Sequence, residues 1–64
     1  MNLYNELKSL IIKNGYTMKQ VAEALNISSF AVLSKFKTGE FKVSELKKLI
    51  SIIGKDEVMR IFFN

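Results

Sequence analysis

Apolar residues recur along this chain at the spacing of a helix face, and glycines cut the recurrence into blocks. Leu3, Leu7, Leu10 and Ile11 stand at i, i+4, i+7 and i+8, one stripe of an α-helix. This predicts a first helix from about Leu3 to Lys13, with Asn2 as its N-cap and Asn14-Gly15 as its stop. A second helix starts after Thr17. Thr17-x-x-Gln20 has the form of a capping box, in which the hydroxyl serves one free backbone N–H and the amide reaches back to another. Met18, Val21, Ala22 and Leu25 continue the inward stripe to an end near Leu25-Asn26, where Asn tolerates a left-handed turn.

Ser28 or Ser29 can cap a third helix reaching about Lys37. With Phe36 at the centre of its buried face, Ser29, Val32 and Leu33 fall within about 60° of it, and Phe30, Ala31, Ser34 and Lys37 face away. Lys35 and Ser28 take the flanks. Thr38-Gly39-Glu40 reads as a turn. A fourth helix is predicted from Val43 to Ile53 with Leu46, Leu49, Ile50 and Ile53 inward, stopped by Gly54. Asp56 can start a short fifth through Phe63. No stretch sustains a period of two. The expectation is an all-α fold, a small four- or five-helix bundle forming one domain over residues 1–64.

Composition narrows the function classes. A chain of 64 residues buries only about 60% of the surface its unfolded form exposes, so its core must be efficient or completed by a second copy. Cysteine and histidine are both absent, which removes disulfides and the usual zinc ligands. General acid–base chemistry loses its commonest residue too. Among six acidic residues only Asp56-Glu57 are adjacent, and no Gly-rich phosphate loop is present. Neither an enzyme, nor a metal site, nor a cofactor, nor a small-molecule ligand is expected. The apolar runs are too short for a bilayer, and Glu6 and Lys8 interrupt any signal-peptide reading. A cytoplasmic protein is the expectation. Ten Lys/Arg against six Asp/Glu give a net charge of +4, which favours a polyanionic partner.

The informative stretch is Thr17 to Gly39. Two short helices are joined by Leu25-Asn26-Ile27-Ser28, and Ala22 is small enough on the inward face for a close crossing. Such a pair lets the second helix project into a DNA major groove. Thr17-Met18-Lys19-Gln20-Val21-Ala22-Glu23-Ala24-Leu25-Asn26-Ile27-Ser28, followed by Leu33-Ser34-Lys35-Phe36-Lys37-Thr38-Gly39, resembles the phage Cro/repressor-type (lambda repressor-like) helix-turn-helix family. Phe41 through Leu46 resembles that family's link into a fourth helix, and Ile61-Phe62-Phe63 resembles the ending of small phage-type members. Asn26 stands where the family prefers Gly, and Met18 stands near a position where many members carry a DNA-touching Gln. Either Val32 or Leu33 can be the core anchor, which leaves two registers for the third helix. The resemblance implies a helical bundle that binds operator DNA, commonly as a homodimer.

On this reading Lys19, Lys35, Lys37 and Lys42 are candidates to neutralise phosphates, and Ser28, Ser29 and Ser34 to bond bases or phosphates. Thr17 and Gln20, at a helix N-terminus, are candidates for a phosphate or act as caps alone. Phe30 has three readings: contact with thymine methyls, folding back onto the core, or a protein-binding surface. Val58, Met59, Phe62 and Phe63 are divided between core and a dimer seam. The function expected is sequence-specific binding of double-stranded, palindromic DNA by a phage- or mobile-element-like transcription regulator, a repressor before an activator. The alternative is a protein-interaction module such as an antirepressor.

Overall fold

A computed structural model describes residues 2–63. Within them the chain forms five α-helices and no strand: α1 (Leu3–Lys13), α2 (Met18–Leu25), α3 (Ser29–Thr38), α4 (Val43–Ile53) and α5 (Lys55–Phe62). Local chemistry sets most boundaries. Asn2 Oδ1 accepts the Asn5 N–H at 3.2 Å and starts α1. The Thr17–Gln20 capping box forms in both directions, the Gln20 N–H donating to Thr17 Oγ1 at 3.1 Å and the Thr17 N–H to Gln20 Oε1 at 2.8 Å. Ser28 rather than Ser29 caps α3, its Oγ accepting the Ala31 N–H at 3.1 Å.

Two left-handed residues bracket α3. Asn26, at φ 58°, ends α2, and the Ile27 N–H then returns to the Ala22 carbonyl at 3.0 Å. Gly39, at φ 76°, ends α3, and a Cβ there would stand 2.9 Å from Leu3 Cδ2. Its backbone conformation favours glycine, and any Cβ there would also require the end of the Leu3 side chain to move.

Leu7 and Ile11 of α1, Val21 and Leu25 of α2, Val32 and Phe36 of α3, Leu49 of α4 and Val58 of α5 meet in a single core. Helix α3 packs against α1 and α2, and α4 packs against α1, α2 and α5. An aromatic line runs through the bundle. Tyr4 meets Phe36 at 6.5 Å between ring centroids, Phe36 meets Phe41 at 6.1 Å, and Phe41 meets Phe62 edge-on at 5.5 Å.

One expectation changes, and two open alternatives are resolved. Val32 is fully buried and Leu33 only half-buried, so Val32 is the anchor of α3. On α4 the buried set is Glu45, Leu49, Ile52 and Ile53, while Leu46 and Ile50 lie at its edge. The inward face is thus turned by about 60° from the one the apolar pattern predicts, counting 3.6 residues per turn. A charged residue can sit inward there because its charge is answered. Finally, Val58 is fully buried, and Phe62 is half-buried against Phe41. Neither is a free surface for a dimer seam, because α5 needs both to dock on its own bundle.

Candidate functional site

Helices α2 and α3 are separated by three residues, Asn26, Ile27 and Ser28. Ala22 and Leu25 are buried on α2, with Val32 and Phe36 on α3 and Ile27 packed at the edge of the same core. This anchoring decides what α3 shows to solvent. At 100° per residue, the side opposite Val32 and Phe36 carries Phe30, Ser34 and Lys37, and all three are exposed. Phe30 is 80% exposed, which removes the reading in which it folds back onto the core. The three form an i, i+4, i+7 stripe about 10 Å long, at 1.5 Å per residue.

The other candidates for DNA contact are exposed as well, apart from Lys35, which is half-buried. Ser29, the first residue of α3, is exposed, and Ser28 is exposed while its Oγ serves the cap. Lys19 of α2 and Lys42, immediately before α4, are exposed. Thr17 and Gln20 are exposed at the start of α2, and the capping box uses only the side-chain oxygen of each. The hydroxyl hydrogen and the amide hydrogens are donors that the box does not consume.

Lys35 differs from the other lysines. Its Nζ donates to Glu45 Oε1 at 3.0 Å, and the same oxygen accepts the Lys42 N–H at 2.8 Å. Glu45 is only 6% exposed. Burial pushes its carboxyl up, but the Lys42 N–H and the Lys35 ammonium outweigh burial and hold it below its ordinary range. Lys35 Nζ is thus paired with Glu45. Glu45 is the residue that the apolar pattern does not reveal. Its signal is its position three residues after Lys42, where a carboxylate can cap α4, combined with i+4 spacing to Leu49.

No protein-family model matches the chain, and no curated protein or solved structure matches it significantly.

The surface electrostatics follow from which charges are already paired. Arg60 is bound by Glu6 at 2.6 Å and Glu57 at 2.7 Å, so its guanidinium ties α5 to α1. Those two carboxylates hold Arg60 firmly protonated, and the hydrogen bond from Arg60 keeps Glu57 below its ordinary range. From Ser34 to Lys55 the exposed charges are Lys37, Lys42, Lys47, Lys48 and Lys55 against Glu40 alone. The end of α3 and the length of α4 are therefore cationic. An open groove of about 450 Å³ between α1 and α5 lies outside the α2–α3 pair, lined by Asn2, Asn5, Glu6, Ser9, Leu10 and Arg60. Its one cation is already paired. Among the described residues no His/Cys/Asp/Glu cluster can hold a metal ion, and no helix is long and apolar enough to cross a membrane.

Proposed function

We propose that this protein binds double-stranded DNA sequence-specifically as a transcription regulator of phage or mobile-element type. In this reading α2, the Asn26–Ser28 turn and α3 act as a lambda repressor-like helix-turn-helix, with α3 in the major groove. The observation that carries the reading is the exposed stripe of Phe30, Ser34 and Lys37 on a helix whose opposite side is anchored by Val32 and Phe36. A helix with its side chains is about 10–12 Å across and fits a groove about 12 Å wide. In this reading the exposed Lys19, Lys37 and Lys42 meet flanking phosphates, and the N-terminus of α2 supplies further donors. Such a protein regulates by occupying its site, which favours repression over activation. A two-fold homodimer would match half-sites about 34–36 Å apart.

The test is fluorescence anisotropy with a random-sequence duplex at low salt, followed by a salt titration. Retention at low salt with log affinity falling steeply against log salt is expected. Absence of any retention would overturn the reading. It would favour the alternative that the 80% exposure of Phe30 also supports, a helix-turn-helix-derived module that binds another protein, as an antirepressor does.

A further inference from the structure

The reading end of α3 has an unusual chemistry for a surface that must discriminate bases. Base edges are reached mainly from the N-terminal part of a recognition helix, and here that part is Ser29, Phe30 and Ala31. None of them has a guanidinium or an amide, so none can form the paired hydrogen bonds by which Arg reads guanine or Asn and Gln read adenine. Lys37 is the cation of the exposed stripe, and it sits two turns further along, about 10 Å or three base steps from Phe30. What the N-terminal end does offer is an aromatic ring, 80% exposed, beside a methyl group at Ala31. The C5-methyl of thymine is the apolar feature of the major groove.

We infer that Phe30, with Ala31, reads thymine methyl groups, so that the preferred DNA carries thymines opposite the start of α3 and is chosen by apolar contact there. The inference rests on the proposed seating of α3 in a major groove. The ring is held out by its place on the helix, since Val32 and Phe36 fix the opposite side in the core. Exposure of so large an apolar surface is unfavourable in the free protein, and burial against methyl groups relieves it. Successive thymines on one strand lie about 3.4 Å apart, close enough for one ring to touch two methyls. The neighbouring hydroxyls of Ser29 and Ser34 accept and donate without strong preference, leaving discrimination at this end to the apolar contact.

The experiment uses duplexes of about 20 base pairs, two helical turns, recovered by the intact protein from a random pool. Each thymine is then replaced singly by deoxyuridine, which removes the methyl and keeps the base pair. Replacement at a contacted position should weaken binding about fourfold, the fold-change that matches about 0.8 kcal/mol for one buried methyl-sized group. F30A should bind the parent duplex more weakly and be indifferent to the same replacement, and F30L should retain part of the sensitivity. Because Phe30 is exposed, both variants should keep the wild-type circular dichroism spectrum and thermal midpoint. Wild-type binding unaffected by deoxyuridine at every position overturns the inference. So does an F30A variant that keeps the full deoxyuridine effect. If random duplex is still retained at low salt in those cases, DNA binding stands and only the methyl readout falls. If no duplex is retained at all, both fall.

Discussion

Lys35 Nζ lies 3.0 Å from Glu45 Oε1, and this bridge joins two helices whose backbones do not pack together. Helices α3 and α4 are absent from each other's close backbone neighbours, although both are built into the same core. The side-chain bridge spans that gap from the flank of the helix that carries Phe30. The second acceptor role of the same oxygen, toward the Lys42 N–H at 2.8 Å, fixes the start of α4 in the same step. One buried carboxylate therefore sets the position of the end of α3 and of the following turn.

Removing that carboxylate should be costly. E45A leaves the Lys42 N–H and the Lys35 ammonium without their partner, and the loss should be about 1–3 kcal/mol in urea unfolding. E45Q keeps an acceptor oxygen and should lose less. The pH dependence follows from the sign of the shift. The folded-state value is held below the ordinary value of about 4.5. The stabilisation is therefore complete above the unfolded value and disappears as pH falls through the folded one. The urea midpoint of the wild type should drop on acidification below about pH 4.5, and E45Q should show a shallower drop. Identical acid profiles for the two proteins would remove Glu45 from this role.

The particulars that sequence pattern could and could not reach have physical reasons. Asn2, Thr17–Gln20, Ser28 and Gly39 act on backbone groups within four residues, and such local bonds leave a local signature. The outward placement of Phe30, Ser34 and Lys37 follows equally from helix geometry once Phe36 is inward. The choice between Val32 and Leu33 does not. Both are apolar neighbours on the same side, and only the docking of α3 on α1 and α2 separates them. Glu45 was hidden for a stronger reason, because its burial depends on Lys35, ten residues earlier, and a charge without its partner would not be placed inside. On α5, Val58, Met59, Ile61 and Phe62 share an arc of about 160° at 100° per residue, and periodicity alone does not say which part of that arc docks and which stays exposed.

The lysines should separate in a salt titration. K19A, K37A and K42A each remove an exposed charge, and each should lower the slope of log affinity against log salt by about 0.9 for every phosphate that the lysine neutralises. K35A should leave the slope unchanged and lower stability instead, because its ammonium is engaged by Glu45. A K35A slope reduced as much as that of K37A would show that Lys35 leaves Glu45 on DNA.

The two left-handed positions that bracket α3 should respond in opposite ways to small substitutions. G39A forces a side chain into φ 76° and brings a Cβ to 2.9 Å from Leu3 Cδ2. The conformational part alone costs about 1–2 kcal/mol, and the displaced Leu3 adds to it. N26G, at φ 58° on an exposed position, should be neutral or slightly stabilising. Thermal midpoints measured side by side decide this, and a G39A protein as stable as N26G would contradict the left-handed conformation of Gly39.

Self-association should be weak and should depend on the exposed end of α5. Met59 is 46% and Phe63 61% exposed, whereas Val58 is in the core and Phe62 is held by Phe41. Two side chains per copy fall well short of the roughly 800 Å² per partner that a stable interface of ordinary size buries. Dimers should therefore appear in sedimentation only at high micromolar concentration, and on a palindromic duplex the shared DNA should draw two copies together at much lower concentration. M59K or F63K should abolish dimers in solution while leaving the thermal midpoint nearly unchanged. V58A should do the reverse, lowering stability by about 1–3 kcal/mol without a selective effect on association. Monomer alone at every concentration, with independent binding of two half-sites, would eliminate the α5 seam.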